Sequence, residues 1–467
     1  MGERRPSSIS LTKSLTDWWS FPKYLKSDSD SLPDENRNEG IEQAKLRNRL
    51  IEYELFKAIL SDDIYLHPPN SENGIPEDAQ ITGEFLDVDI GGGMTIHEFY
   101  LENRVKADSP NEVVDIVLIH GYMAALGYFV KNFEEIVKAK PGVRLHVIDL
   151  PGFGNSSRPK FPTEFLVRPS TKSEEIEQIL NIEDWFINKI EEWRIHRNLR
   201  HFKLIGHSMG GYLSSCYLMK YNNQYCDLQE DDSKIITEFI IVSPMGTESN
   251  YISLINNKLD FHESSDPLKD LVTVQTEDEI VVHDEEFKEL WEKLGKPKFP
   301  KHILLQKLWE WNKSPFQMLQ ILGPFYSKLL SYWSFQRFRN LRVNDGENEV
   351  NVDLILKLHN YSYSIFNQFQ GSGELAITKL INHEILAKLP LCDRGFVKYL
   401  HDSEIRTLWL YGDKDWMNFK GGYHIFEQLS KINSLSSFQI IKDAGHHIYL
   451  DNPEEFNKSC LEFFNLI

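Results

Sequence analysis

The chain has 467 residues, 41% of them hydrophobic, which is enough apolar content for a sizeable core, and it carries a formal charge of −19. That balance opposes global attraction to anionic lipids, so membrane contact would have to rest on local patches and inserted side chains, and no nucleic-acid partner is expected. No stretch approaches the ~20 apolar residues of a membrane-spanning helix. Cys216, Cys226, Cys392 and Cys460 show no close pairing and no apolar signal segment opens the chain, so free thiols in a reducing compartment are expected over a secreted, disulfide-framed protein.

Residues 1–40 read as a flexible extension. Arg4 to Thr16 is free of acidic residues, with Arg4, Arg5 and Lys13 among serines, and is followed by Trp18, Trp19, Phe21, Tyr24 and Leu25. Aromatic rings at this density in a polar tail suit a lipid interface, or a tail folded back onto the domain. The same stretch has the basic, serine-rich character of a mitochondrial presequence, although Glu3 departs from it. Asp28 to Glu39 reads as a polar linker, and Ile41 to Leu60 has helical spacing through Leu46, Leu50, Leu55 and Ile59. Residues 41–80 are assigned to this helix and a linker.

From residue 81 the pattern changes to strands. Phe85, Val88 and Ile90, the Gly91-Gly92-Gly93 turn, then Ile96, Phe99 and Tyr100 predict a hairpin. These glycines are not a phosphate loop, because no helix with lysine and serine or threonine follows, and Gly152-x-Gly154 lacks the third glycine of a dinucleotide fingerprint. No cofactor and no metal are expected. Val113 to Ile119 is a nearly continuous apolar run broken by Asp115, which suits a buried parallel strand. It ends in His120-Gly121-Tyr122-Met123.

Phe202 to Ile205 runs into Gly206-His207-Ser208-Met209-Gly210, and a helix-like stretch continues from Gly211 to Lys220. Small residues two before and two after a serine let the backbone take a strained turn that exposes the hydroxyl. A bare G-x-S-x-G is common by chance; the flanking strand and helix make Ser208 a candidate nucleophile. A serine needs a base, an acid to orient that base, and donors for the developing oxyanion.

After a strand at Ile236 to Val242, residues 247–401 intervene before Thr407 to Tyr411, which ends in Gly412-Asp413-Lys414-Asp415-Trp416. Asp415 is the candidate acid, whereas Asp413 sits in the turn, where a carboxylate more often caps backbone N–H groups. Phe438 to Ile441 then leads into Lys442-Asp443-Ala444-Gly445-His446-His447, and His446 is the candidate base with His447 in packing or support. Gly121 lets the chain close around a substrate, so that the N–H groups of Tyr122 and Met209 would hold an oxyanion. His120 is expected to brace that loop.

The order Ser208, Asp415, His446 is similar to that of the α/β-hydrolase superfamily. A narrower resemblance, to a lipid-handling branch, rests on Asp149-Leu150-Pro151-Gly152-Phe153-Gly154-Asn155-Ser156-Ser157-Arg158-Pro159, Glu183-Asp184-Trp185-Phe186, Glu191-Glu192-Trp193-Arg194, Ser243-Pro244-Met245-Gly246 and Asp415-Trp416-Met417-Asn418. That branch includes cardiolipin-specific deacylases of fungal mitochondria, lysophosphatidic acid acyltransferases and lipase coactivators of lipid droplets. The resemblance implies an α/β fold with a mostly parallel sheet flanked by helices, its core split into 81–246 and 402–467. Residues 247–401 would then be a large helical cap that governs substrate choice. Within it, Asn256 to Leu294 is strongly acidic and reads as solvated. Lys296, Lys298 and Lys301 interleave with Phe299, ahead of Trp309, Trp311, Phe316, Leu319, Ile321, Leu322, Phe325 and Tyr326. A basic rim beside an apolar helix suits a phospholipid; a helix covering the core is the alternative.

The branch also has a His-x4-Asp signature associated with acyl transfer, matched by His446 and Asp451. Asp451 could equally cap the last helix, Glu454 to Phe464. The coactivators lack the elbow serine, whereas Ser208 is present here, and an acid at 208, as in epoxide hydrolases, is absent. The resemblance therefore implies a serine acyl-ester hydrolase acting on phospholipids, of the cardiolipin deacylase type, on the mitochondrial inner membrane. Alternatives are a lysophospholipid acyltransferase using the same site, a noncatalytic lipid-surface adaptor, and a place in the cytoplasm or on lipid droplets or endoplasmic reticulum. Peripheral membrane contact is expected through the N-terminal aromatic segment or the cap. The oligomeric state is not legible from sequence.

Overall fold

Nine short, mostly apolar segments form one sheet in the computed structural model, which describes residues 7–20, 34–69, 71–72, 74–106, 113–222, 234–250, 252–255, 307, 309–338, 352–367, 371–432 and 435–467. The strands are β1 (Ile64–Leu66), β2 (Ile81–Asp89), β3 (Thr95–Asn103), β4 (Val114–Ile119), β5 (Val143–Ile148), β6 (Lys203–His207), β7 (Glu238–Val242), β8 (Arg406–Gly412) and β9 (Ser436–Ile441). Their order is β1-β2-β3-β5-β4-β6-β7-β8-β9, antiparallel only at β2 with β3 and β3 with β5. β4, β6, β7 and β8 are central and read as nearly unbroken hydrophobic runs because both their faces are covered. The interruption at Asp115 lies near the start of β4, where its carboxylate accepts from Arg144 Nε at 2.6 Å and contacts His146 Nε2 at 3.1 Å on β5. This is the α/β-hydrolase architecture, a mostly parallel sheet between helices.

The helices are α1 (Leu11–Ser20), α2 (Asp34–Lys57), α3 (Phe133–Lys138), α4 (Lys172–His196), α5 (Met209–Tyr221), α6 (Pro315–Gln320), α7 (Tyr326–Arg337), α8 (Val352–Phe366), α9 (Ile377–Leu380), α10 (Phe396–Asp402), α11 (Phe419–Lys431), α12 (Ile448–Asp451) and α13 (Pro453–Phe463). α2 begins at Asp34, inside the stretch expected to be a polar linker, and its Phe56 packs against Phe85, Phe99 and Phe133. α13 is capped by Asn452, whose side chain accepts from Glu455 N at 3.1 Å; Asp451 is not the cap.

α1 lies along α7. Ser14 Oγ donates to Pro324 O at 2.6 Å and accepts from Lys328 N at 2.9 Å, while Lys328 Nζ donates to Ile9 O at 2.7 Å. The capping box of Ser314 and Gln317 starts α6, and α8 joins the core through Tyr361 Oη, which accepts from Gly127 N at 2.9 Å. Trp309, Phe316 and Tyr326 are buried, whereas Trp311, Ile321, Leu322 and Phe325 are exposed. Arg4, Arg5, Phe21, Tyr24, Leu25, Cys226, the acidic stretch 256–294, Lys296, Lys298, Phe299 and Lys301 lie outside the described residues. Cys216, Cys392 and Cys460 are free thiols. Among the described residues, no helix is long and apolar enough to cross a membrane.

β4 and β6 are neighbours, and the connections leave β4 toward β5 on one side and reach β6 on the other. Such a switch point opens a crevice beyond the carboxyl ends of the strands. His120 follows β4 and Ser208 follows β6, so both loops border that crevice.

Candidate active site

β6 continues to His207, two residues past the expected end, and α5 starts at Met209, so the whole reversal falls on Ser208. Its backbone sits at φ 54°, ψ −118°, a conformation that a side chain disfavours. Hydrogen bonds hold it there: Ser208 N donates to Val242 O at 2.9 Å, and Ser208 O accepts from Tyr212 N and Met245 N, both at 3.1 Å. A Cβ at Gly210 would lie 2.4 Å from His120 O, so only glycine lets α5 approach β4 this closely. Met209 opens α5, where the first N–H groups have no intrahelical acceptor and the helix dipole favours negative charge.

His446 lies in the loop between β9 and α12. Its Nε2 is 3.1 Å from Ser208 Oγ and its Nδ1 is 3.1 Å from Asp415 Oδ1. The three side chains expected to meet from distant parts of the sequence therefore do so, and all three are buried. Asp415 Oδ1 also accepts from Met417 N at 2.9 Å, and Oδ2 accepts from Ser243 Oγ. The Trp416 ring packs against the imidazole with centroids 4.3 Å apart. Asp413 ties the two loops together, its Oδ1 accepting from Ala444 N at 3.0 Å. With Nδ1–H donated to the carboxylate, His446 presents an unprotonated Nε2 to the serine hydroxyl, the arrangement needed for proton removal.

Two further histidines are neutral braces. His120 Nδ1–H donates to Gly121 O at 2.8 Å, its Nε2 accepts from Leu150 N at 2.9 Å, and burial pushes its pKa down to about 4. His207 is held well below its ordinary value by burial and then by the nearby His446; its Nε2–H donates to the His446 carbonyl at 2.9 Å. Nothing in the sequence pattern singled out His207 or the role of Ser243. Their partners are 239 and 172 residues away, beyond the reach of local context.

A Cβ on Gly121 would stand 2.7 Å from Ser208 Cβ, so the backbone of 121–122 passes directly beside the serine. Tyr122 turns its ring away, edge-on to Phe153 at 5.8 Å and to Phe316 at 5.4 Å. Phe153 comes from the Gly-Phe-Gly loop and joins Phe316 of α6 in an aromatic wall next to the site. Asp149 anchors that loop by accepting from Leu126 N at 2.8 Å and Asn155 N at 2.7 Å. The paired tryptophan segments brace α4 instead: Glu183 binds Arg394 and Tyr212, Glu191 binds Arg194 and Tyr217, and Trp193 Nε1 donates to Glu98 at 2.9 Å.

Asp451 does not reach the imidazole ring. Its Oδ2 accepts from Gly445 N at 2.9 Å, and its Oδ1 pairs with Arg337 at the end of α7. His447 is half-buried beside it, with Nδ1 accepting from Arg337 Nε at 3.2 Å. Glu52, His97 and Asp149 form a buried group of metal-ligand type residues apart from the serine. Both nitrogens of His97 are engaged, with Glu52 at 2.7 Å and Asp87 at 2.9 Å, which accounts for the group as a hydrogen-bond network.

Residues 116–255 match the family described as alpha/beta hydrolase fold. A probable 1-acylglycerol-3-phosphate O-acyltransferase of Oryza sativa is 26% identical over 78% of this chain and 71% of its own. The 1-acylglycerol-3-phosphate O-acyltransferase ICT1 of Saccharomyces cerevisiae is 26% identical over 84% and 91%. A human (lyso)-N-acylphosphatidylethanolamine lipase is 24% identical over 74% and 78%. These similarities lie in a lipid-handling branch.

Proposed function

Taking an α/β-hydrolase of the lipid-handling branch as the premise, we propose that this chain is a serine-dependent acyl-ester hydrolase acting on phospholipids. The observation that carries the reading is the contact of Ser208 Oγ with His446 Nε2 at 3.1 Å, continued by His446 Nδ1 to Asp415 at 3.1 Å. Ser208 attacks the acyl carbonyl while its proton passes to His446 Nε2. Asp415 keeps the imidazole in place and stabilises its cation. The oxyanion forms against the Tyr122 and Met209 N–H groups, each such donor being worth about 10²–10³ in rate. His446 then protonates the departing lysophospholipid oxygen, leaving an acyl-enzyme. Water, deprotonated by the same imidazole, attacks the acyl carbon, and the imidazolium returns that proton to Ser208 Oγ as the acyl–oxygen bond breaks and the fatty acid leaves.

If a lysophospholipid hydroxyl takes the place of water, the same acyl-enzyme yields a new ester. The names of the plant and yeast relatives favour this second reading, and the name of the human one favours hydrolysis. The cardiolipin deacylase type and a position on the mitochondrial inner membrane are the finer reading. They rest on the sequence resemblance and the basic, serine-rich N-terminal stretch. Peripheral membrane contact is supported by a surface in which Leu11, Leu15 and Trp19 of α1 are exposed, as are Ile321, Phe325, Leu329 and Trp333 of the adjoining cap. Residues 311–338 contain no Asp or Glu and include Lys313 and Lys328 besides the Arg337 that pairs with Asp451, in a chain of net charge −19. A locally cationic, aromatic-rich face in an acidic protein is what an anionic bilayer surface attracts.

The test compares cells lacking the protein and complemented with wild type or Ser208→Ala, with lipid profiling and mitochondrial fractionation. Unremodelled cardiolipin accumulating with Ser208→Ala supports deacylation, and loss of phosphatidic acid supports transfer. Full complementation by Ser208→Ala overturns both in favour of a noncatalytic adaptor.

A further inference from the structure

The His-x4-Asp spacing has a geometric origin that is independent of which nucleophile the acyl-enzyme meets. α12 is a single helical turn, in which Asp451 N donates to His447 O at 3.0 Å. One turn brings residue 451 back beneath residues 445–447, where its Oδ2 accepts from Gly445 N at 2.9 Å. A Cβ on Gly445 would lie 3.3 Å from that oxygen, so the glycine leaves room for it. The other oxygen, Oδ1, is paired with Arg337 Nη1. The same guanidinium donates through Nε to His447 Nδ1 at 3.2 Å and through Nη2 to His447 O at 3.3 Å. His447 accepts because burial, and then the Arg337 charge, hold its pKa well below the ordinary histidine value and keep the ring neutral. With the His446 carbonyl bound by His207, the backbone is gripped at residues 445, 446 and 447. Arg337 is the last residue of α7 and therefore belongs to the cap, whereas every group that it grips belongs to the core.

We propose that Asp451 and Arg337 form a latch by which the cap positions the His446 imidazole, and that Asp451 is a positioning residue for both hydrolysis and transfer, not a selector between them. The proposal rests on the serine-hydrolase reading above. Releasing Arg337 leaves Gly445 held by Asp451 and the His447 carbonyl held by the Leu450 and Asp451 N–H groups, but removes the cap's bonds to that carbonyl and to the His447 ring; turning the Asp451 carboxylate into an amide leaves one acceptor oxygen for two donors, so that either Gly445 N or the guanidinium loses its partner. Either change lets the base wander from Ser208 without altering any group that touches the acyl chain or the incoming nucleophile. Displacement of a reacting group by about 1 Å costs about a hundredfold in rate, so kcat is the quantity that should move.

The experiment uses the purified full-length chain with Asp451→Asn, Arg337→Gln, Arg337→Lys and the Asp451→Asn/Arg337→Gln double variant. Each is assayed for fluorophosphonate labelling of Ser208, for kcat and KM on a short-chain p-nitrophenyl ester, and for the ratio of fatty acid to transacylated product when lysophosphatidic acid is supplied. The expected result is a roughly ten- to hundredfold fall in labelling and kcat for Asp451→Asn and Arg337→Gln, with KM and the product ratio unchanged. The double variant should lose less than the product of the single losses, because the two residues act as one unit. Arg337→Lys, which keeps the charge facing Asp451, should recover part of the rate. Loss of transfer alone in Asp451→Asn, with hydrolysis at the wild-type rate, overturns the proposal. Wild-type labelling in both single variants overturns it as well. Should Asp451→Asn fail to fold, Arg337→Gln carries the same readouts. Wild-type protein that resists the probe refutes the serine-hydrolase reading itself, a separate outcome.

Discussion

The backbone of Ser208 offers a test of the elbow that needs no substrate. At φ 54°, ψ −118° the residue sits where a Cβ is disfavoured, a strain of about 1–3 kcal/mol that only a glycine relieves. Ser208→Ala and Ser208→Gly both remove the hydroxyl and both leave His446 Nε2 without its partner, so those costs cancel in the comparison. What remains is the strain retained by alanine, less the extra unfolded-state entropy of glycine at about 0.5–1 kcal/mol. Ser208→Gly should therefore be the more stable of the two by up to about 2.5 kcal/mol. An unfolding entropy of about 2.1 cal/mol/K per residue, taken over a chain of 467 residues, makes this a difference of at most about 2.5 °C in melting temperature. The better measurement is the urea midpoint of the two purified variants under identical conditions. If alanine is the more stable of the two, the serine is not held in a strained turn and the elbow geometry is wrong.

Gly121→Ala would put a methyl group 2.7 Å from Ser208 Cβ and 2.9 Å from His207 Nδ1. It should lower kcat by about 10²–10³, as loss of one oxyanion donor does, while circular dichroism shows the fold retained. Burial lowers His120 and His359 to about 4, so as pH falls from 6.5 toward 4 the unfolded chain takes up protons that the folded chain refuses. Each should cost about 3 kcal/mol of stability across that window, fully recovered above pH 6.5. Asp149, which burial pushes up to about 7, acts with the opposite sign, because the folded state binds its proton first as pH falls. Asp149→Asn should therefore steepen the acid-side loss, measured as denaturation midpoints between pH 7 and 4.5; an unchanged slope refutes this assignment. Trp19→Ala and Phe325→Ala should each weaken binding to anionic vesicles by up to about tenfold to a hundredfold, the range for fully burying such a ring. Neither substitution should change hydrolysis of a soluble ester, and vesicle binding unchanged in both would exclude this face as the contact.

Much of the candidate site was legible because its parts are local. Ser208, Asp415 and His446 each stand at a strand end beside a glycine or in a tight turn, and that pattern needs only a few neighbouring residues to be recognised. Asp413 was legible for the same reason, since a carboxylate in a turn has backbone N–H groups within reach. Strand ends shifted by a residue or two, as at β6 and β9, because hydrogen bonding to neighbouring strands sets where a ladder stops and hydrophobicity does not. The start of α2 at Asp34 was missed because a polar composition does not forbid a helix.

Hydrophobic runs and turn chemistry thus determined which segments become strands, which loops carry the candidate catalytic side chains, and the order of those side chains along the chain. Contacts between distant segments could only be decided by the fold. Ser243 reaches across to Asp415, His207 to the carbonyl of His446, and Arg337 from the end of α7 to Asp451. The same is true of Asp451, whose spacing from His446 is visible in sequence and whose bond to Gly445 spans only six residues, while its partner Arg337, 114 positions away, is not visible. A hydrogen bond is decided within 3.5 Å, and a linear pattern holds no information about which residues, more than a hundred positions apart, are brought that close.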